Sequence, residues 1–324
     1  MNNVIVSIVC LTYNHEQYIH DCLNGFLKQK TTFPFELLIH DDCSFDKTTD
    51  IIREYEAKYP NIIKPIYQKD NQYSKGKNPA IEFLYPICTG KYIALCEGDD
   101  YWTDPYKLQK QVDFLETHED VSMCFHDAKI IYSAENRIGS FRRYSNNQYV
   151  PVEDLIIGGG GFCPTASLVF RTQYIQYGYP DFCINCHTGD FPLQLYLSTK
   201  GKIFYFSEEM SAYRHTTSGS WSKNFKNTDL SVKIKKWMSE YVMIDGINAL
   251  HEYKYASAVI RWQTDFFIGD ILLPNRGKKT EIKKVFGTYI SKFLIKNKIK
   301  IFLICHAFFL YRLLSKLSAL KIKK

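Results

Sequence analysis

Leu95-Cys96-Glu97-Gly98-Asp99-Asp100-Tyr101-Trp102 is the stretch on which the fold turns. It places three carboxylates within four residues, with a glycine among them, straight after the apolar run 92–96 (YIALC). A buried strand that ends in acids leaves them at its C-terminal edge, and open α/β sheets bind ligands at that edge. Hard oxygen donors there suit Mg²⁺ or Mn²⁺ carrying a phosphate-bearing molecule. A solvated acidic turn has the same composition, so the flanking sequence has to decide.

Upstream, residues 4–11 (VIVSIVCL) form a near-continuous apolar run rich in β-branched residues, as expected of a strand covered on both faces. Thr12-Tyr13-Asn14-His15 breaks it, and residues 16–30 then carry Tyr18, Ile19, Cys22, Leu23, Phe26 and Leu27 at helical spacing. Residues 35–40 (FELLIH) predict a second strand, ended by Asp41-Asp42-Cys43-Ser44, with Asp46 capping a helix over 47–59. A third strand is predicted over 62–67 and a helix over 79–88, before Gly90 turns into the opening motif. Alternating strands and helices mark an open, mostly parallel sheet flanked by helices. Parallel strands would bring Asp41-Asp42 and Asp99-Asp100 to the same edge, which favours the metal and nucleotide reading over the solvated turn.

Downstream, the pattern predicts a helix over 106–118 and strands over 121–126, 129–132, 165–170 and 202–206. A helix over 191–198 is opened by Gly189-Asp190, and residues 141–150 read as loop. Beyond about residue 227 the reading is helical, broken at Pro274-Asn275-Arg276-Gly277. The expected division is thus a domain over 1–226 and a helical C-terminal extension over 227–324.

The chain of 324 residues is 45% hydrophobic and 23% charged, a globular composition. Its net charge of +7 is unevenly spread. From residue 271 onward there are 14 Lys and Arg against the single acid Glu281, which leaves the body mildly acidic. Such asymmetry points to an anionic surface, not a nucleic acid along the whole chain, as partner of the tail. The N-terminus has no basic region ahead of an apolar core, so no signal peptide is expected. Ten cysteines then read as reduced thiols, and the expected location is cytoplasmic.

The order of motifs resembles family 2 glycosyltransferases of the GT-A fold, over roughly residues 4–222. The resemblance rests on residues 6–14 (VSIVCLTYN), 39–44 (IHDDCS), 90–100 (GKYIALCEGDD) and Gly189-Asp190. It implies an inverting, metal-dependent enzyme that takes a sugar from a nucleotide donor, with a donor half at about 1–105 and an acceptor half at about 106–226. Thr12 and Tyr13 would lie against the donor nucleotide, and Asp42, supported by Asp41, would bond its base or ribose. Asp99 would hold the divalent cation, Mn²⁺ or Mg²⁺. Glu97 stands in the first position of the motif, where the family more often has Asp. Asp190 stands where the family keeps its catalytic base, and His215 where some members place a late metal or diphosphate ligand. The expected acceptor is a hydroxyl of a glycan or lipid-linked glycan in surface polysaccharide synthesis, and no nucleic-acid partner is implied.

The chemistry agrees with these assignments. Transfer with inversion needs a base for the acceptor hydroxyl on one side of the sugar. It needs charge neutralisation for the leaving diphosphate on the other. A rival reading, a sugar nucleotidyltransferase, wants a glycine-rich phosphate loop after the first strand, and Thr12-Tyr13-Asn14-His15 is not one. A second rival is a non-catalytic glycan-binding protein on the same fold. Cys183-Ile184-Asn185-Cys186-His187 matches a haem-attachment pattern, but haem would need export, and a zinc site would need a second ligand pair that only Cys163, or Cys124 with His126, could supply, so ordinary reduced thiols are expected. The run at 158–161 lacks the dinucleotide fingerprint and reads as a loop near the acceptor. The tail over 292–324 mixes Lys and Arg with Phe, Leu and Ile, and suits a peripheral helix on an anionic inner membrane face.

Overall fold

A computed structural model describes residues 3–132, 135–176, 179–215, 228–291, 293, 295–308 and 310–311. The chain divides into two compact units, Met1–Asn227 and Thr228–Lys324.

The first unit is built on a ten-stranded sheet. Strands β1 (Val6–Thr12), β2 (Phe35–Asp41), β3 (Ile63–Tyr67) and β4 (Tyr92–Leu95) run parallel in the order β3-β2-β1-β4. β1 and β4 are buried nearly throughout, as their unbroken apolar sequences require. Beyond β4 the order continues β9-β6-β10-β5, with β5 (Tyr101–Trp102), β6 (Val121–Tyr132), β9 (Val169–Arg171) and β10 (Lys202–Arg214). β9 is antiparallel to both neighbours, β10 is parallel to β6, and β5 is antiparallel to β10. The short β7 (Arg137–Ser140) and β8 (Gln148–Tyr149) pair antiparallel with β6 and β10. This is the mostly parallel, helix-flanked architecture expected from the sequence.

Helix α1 (Ile19–Leu27) has no side-chain cap hydrogen bond. Its buried face, Ile19, Cys22, Leu23 and Phe26, holds it against the main core cluster. Burying each such aliphatic or aromatic side chain contributes on the order of 1.5–3 kcal/mol, more than a cap would at about 1 kcal/mol. Helix α2 (Thr48–Lys58) opens with Asp46 Oδ1 accepting the Thr48 N–H at 2.9 Å, while Oδ2 accepts the Glu16 N–H at 3.1 Å. Asp46 therefore ties the helix start to the loop after β1. Helix α3 (Lys107–Thr117) buries Leu108, Val112 and Leu115.

Several elements differ from the sequence reading. The two strands expected over 121–126 and 129–132 are one strand, because Asp127 and Ala128, which read as a break, are themselves buried and bonded. Asp127 accepts hydrogen bonds from the Ala128 N–H and the Ser140 hydroxyl and pairs with Arg142, so its charge is compensated inside the sheet. The strand expected over 202–206 continues to Arg214 through register shifts at Phe206/Glu209 and Glu209/Ser211, which absorb the polar residues there. The helix expected over 79–88 is a π turn, Ala80–Leu84, followed by a 3-10 turn, Tyr85–Ile87; Pro86 has no N–H to continue a ladder. Thr165–Ser167 is a 3-10 turn, with the strand starting at Val169. A helix α4 (Val152–Gly158) precedes the glycine run, and α5 (Asp190–Ser198) starts at the acid.

The second unit is helical, with α6 (Leu230–Leu250), α7 (Ala256–Phe266), α8 (Lys279–Ser291) and α9 (Ile295–His306). Trp237, Phe267, Ile271, Ile282, Phe286, Phe293, Ile301 and Ile304 are among the members of its own core. Among the described residues, no helix is long and apolar enough to cross a membrane.

Candidate active site

The C-terminal ends of β1, β2 and β4 meet at one edge through backbone pairing. Leu11 and Thr12 lie beside His40 and Asp41 in the β1–β2 register, and the Gly98 N–H donates to the Leu11 carbonyl at 2.9 Å. The turn after β4 can approach β1 this closely because residue 98 has no side chain. A β-carbon there would lie 2.7 Å from Thr12 Oγ1 and 2.8 Å from His15 Nδ1. Beneath the turn, the thiols of Cys22 and Cys96 donate to the Glu97 carbonyl at 3.5 and 3.6 Å, and Cys10 Sγ lies 4.0 Å from Cys22 Sγ. Burial pushes the Cys96 thiol up to about 11, so this layer is neutral and apolar.

Glu97, Asp99 and Asp100 each offer a ligand oxygen, and these atoms all lie within 4.8 Å of one another. Glu97 is exposed, Asp99 half-buried and Asp100 buried. Desolvation, then the charges of Asp99 and Asp190, push the Glu97 carboxyl up to about 8. Burial, followed by Asp99 and Glu97, also raises Asp100 well above the ordinary range, although Arg214 opposes this. Three mutually repelling carboxyls of this kind are what a bound cation relieves, and hard oxygen donors at this spacing fit Mg²⁺ or Mn²⁺.

Arg214, at the end of β10, braces the turn. Its backbone N–H donates to Asp100 Oδ1 at 2.9 Å and its guanidinium to the Asp99 carbonyl at 2.7 Å. The guanidinium also pairs with Asp21 of α1 and lies over the Tyr18 and Tyr101 rings at 5.1 and 4.5 Å. His15 is a second residue absent from the sequence-based set. Burial holds it below its usual range, while Asp99, Asp46 and Asp41 pull the other way. Both residues reach the turn from far along the chain, so no local pattern in the sequence points to them. Asp100, by contrast, was visible in the motif.

At the β1 and β2 ends the loops are cross-tied. The Asn14 N–H donates to Ser44 Oγ at 2.9 Å, and the Phe45 N–H donates to Asn14 Oδ1 at 3.0 Å. Asn14 and Cys43 both take left-handed backbone conformations, with φ of 58° and 66°. Asp41 accepts the Ser44 N–H and the hydroxyls of Ser44 and Thr49. Asp42 accepts the N–H groups of Gln72 and Tyr73 at 2.7 and 3.0 Å. Both carboxylates thus shape the loops that surround the edge. Tyr13 and Phe45 stand above them, 41% and 82% exposed, as an edge-to-face pair 6.1 Å apart.

Asp190 opens α5, with its Oδ1 accepting the Phe191 N–H at 2.8 Å. It is close enough to Glu97 to raise that carboxyl, so the fold brings the two together from 93 positions apart in sequence. The glycine run lies against it: a β-carbon on Gly160 would sit 3.4 Å from Asp190 Oδ1. Arg143 donates to the carbonyls of Gly161 and Phe162 and holds the run in place. His215 follows Arg214, but its ring packs on Tyr132 at a centroid distance of 4.8 Å and is not one of the clustered ligands.

Comparison with known proteins places the chain in a family. An uncharacterized Mycobacterium tuberculosis protein, Rv1520, is 38% identical over 216 residues, which are 67% of this chain and 60% of the relative's length. Staphylococcus aureus TarS in complex with UDP-GlcNAc superposes with a TM-score of 0.59 at 15% identity, covering 93% of this chain and 87% of that one. The Pyrobaculum calidifontis mannosyltransferase PcManGT, in complex with GDP-Man and Mn²⁺, gives a TM-score of 0.52 at 12% identity, covering 98% and 80%. At those identities the likeness to the solved structures is one of fold. The Glycosyl transferase family 2 model matches residues 7–178, more than half of the sequence, and the chain belongs to that family.

Proposed function

We infer that this chain moves a sugar from a nucleotide-diphosphate donor, a UDP-sugar, to a hydroxyl of a glycan or lipid-linked glycan, with inversion at the anomeric carbon. The observation that carries this reading is the approach of Asp190 to the Glu97/Asp99/Asp100 cluster from far along the chain. Complexes of TarS with UDP-GlcNAc and of PcManGT with GDP-Man and Mn²⁺ lend support to the donor class and the cation.

In this reading residues 1–105 bind the donor and 106–226 the acceptor. Thr12 and Tyr13 line the nucleotide, with Asp41 and Asp42 fixing the loops around it and Asp42 facing the base or ribose. Asp99 is the principal cation ligand, Glu97 and Asp100 complete the carboxylate set, and His215 is a further candidate ligand of cation or diphosphate. A divalent cation bound there neutralises charge on the departing diphosphate. Arg214 and the thiol layer hold the turn so that its carboxylates need not reorganise. Asp190 accepts the proton of the acceptor hydroxyl as that oxygen attacks the anomeric carbon, and the bond to the diphosphate oxygen breaks on the opposite face. The acceptor pathway is surface polysaccharide assembly, with the chain at the inner face of a membrane.

The test is to incubate the protein with a panel of nucleotide sugars and Mn²⁺ and measure nucleoside diphosphate release. Formation of pyrophosphate from a nucleoside triphosphate and a sugar 1-phosphate, with no nucleoside diphosphate released from any nucleotide sugar, would overturn the reading in favour of a nucleotidyltransferase. Glycan binding with no release from any donor would overturn it in favour of a binding protein.

A further inference from the structure

Helix α9 carries apolar residues on two opposite sides. On one side Ile301 and Ile304 are buried in the core of the helical unit. On the other, Ile295, Ile299 and Phe302 are 75%, 55% and 60% exposed. At about 100° per residue these three fall in one stripe, nearly opposite Ile301 and Ile304. A helix resting on a core ordinarily turns a polar face to water. Here the outward face carries two isoleucines and a phenylalanine, with the exposed His306 ring beside Phe302 at the helix end, and the exposed Lys296 and Lys298 flank the stripe on its two sides.

We propose that this stripe docks on an anionic lipid bilayer, with Ile295, Ile299 and Phe302 entering the boundary between headgroups and acyl chains. Lys296 and Lys298 then meet lipid phosphates at the rim. An apolar stripe edged by lysines is the pattern of a helix lying in the membrane interface. The surrounding sequence has the same sign, with 14 Lys and Arg against one acid from residue 271 onward. A second copy of this chain is the poorer occupant. A two-fold contact through the stripe would set lysines of one copy against those of the other. A surface contact also agrees with the absence, among the described residues, of any helix able to cross a bilayer. The inference deepens the proposed function, resting on it for the need to meet a lipid-linked acceptor, and it moves the expected contact from the tail as a whole to one face of α9. The remainder of that tail, at 292, 294, 309 and 312–324, lies outside the described residues.

The test uses the full chain and co-sedimentation with vesicles of phosphatidylcholine alone or mixed in equal parts with phosphatidylglycerol. The chain is expected to pellet with the mixed vesicles, not with the neutral ones, and less as salt rises. Ile299→Ser combined with Phe302→Ser should lower the partition coefficient roughly tenfold or more, since two buried apolar side chains are lost. Both positions are exposed, so the variant should keep the wild-type circular dichroism spectrum and melting temperature. Equal pelleting of wild type and variant would overturn the proposal. So would failure of the wild type to bind mixed vesicles, or a dimer in light scattering that the double variant dissolves. Mn²⁺-dependent UDP binding, measured on the same samples, tests the donor reading separately from the vesicle result.

Discussion

Glu36 and Glu97 stand at opposite edges of one sheet, and the chain treats them in opposite ways. Glu36, near the start of β2, is buried, and its carboxylate is fully supplied with donors. Ser7 Oγ lies 2.6 Å away, the Thr89 N–H 2.9 Å, Thr89 Oγ1 2.7 Å and Lys64 Nζ 2.6 Å. Burial pushes its carboxyl up, but these hydrogen bonds outweigh that and hold it below the ordinary range. Glu97, just beyond the end of β4, has Asp99 and Asp190 as its electrostatic neighbours, and its carboxyl is pushed up to about 8. A carboxylate that the chain itself satisfies serves the fold. Carboxylates placed together with each other at the C-terminal edge of the sheet repel one another, and in the proposed function that repulsion is what a cation relieves.

This contrast can be broken most directly at Asp190. Asp190→Asn should lower transfer by roughly 10²–10⁴-fold while leaving Mn²⁺-dependent nucleotide binding within about twofold. Steady-state kinetics beside calorimetric UDP binding would show it, and lost UDP binding would move Asp190 into the donor site.

The next largest effect is a crossed pair. Asp99→Asn should weaken Mn²⁺-dependent UDP binding by about 10–100-fold without lowering the stability of the metal-free protein, because it removes a repelling charge. Glu36→Gln should do the reverse. Loss of a buried, multiply bonded charge costs about 3 kcal/mol in urea unfolding, with UDP binding by the folded protein unchanged. Equal destabilisation by the two substitutions would erase the distinction between the edges.

The pH dependence sharpens the same point. The folded Glu36 carboxyl lies below its unfolded value, so its contribution is fully present above the ordinary carboxylate range and is lost as pH falls through the folded value. Wild type should therefore lose more stability than Glu36→Gln on acidification through that window, as followed by urea midpoints. A constant gap between the two curves would mean that Glu36 contributes no linkage.

A smaller effect is expected at Arg214. Arg214→Ala should cost about 1–2 kcal/mol in metal-free protein. Mn²⁺ should then raise the melting temperature by more than it does in wild type, because the cation relieves the repulsion that Arg214 now offsets. An unchanged Mn²⁺ shift would detach Arg214 from the carboxylate cluster.

Much of the acid-bearing edge was legible because each strand there is a short apolar run ended by acids or small polar residues. β1, β2 and β4 needed only that pattern, and the parallel order followed from the intervening helices. β6 was not legible as one strand, since the compensation of Asp127 by Ser140 and Arg142 comes from residues beyond the strand. The lower end of β10 was hidden by Glu208 and Glu209, polar residues where register shifts let the strand continue. The acids of this edge could be named from sequence, but not the residues that brace them. Arg214 lies 193 positions from Asp21, and the pairing exists only once β10 has crossed to β6. The outward stripe of α9 was blurred too, because apolar residues on both sides of a helix leave little periodicity to read.

The left-handed Cys43 has a practical consequence for measurement. Seven of the ten cysteines are buried, leaving Cys43, Cys186 and Cys305 partly accessible. Of those three, Cys43 directly follows Asp42 and lies beside the loop carrying Lys69. A thiol-directed fluorophore would therefore place a reporter at the rim of the proposed donor site in the unaltered sequence. Protection of that one position by a nucleotide, with the labelling of Cys186 and Cys305 as internal references, would read out occupancy without an activity assay.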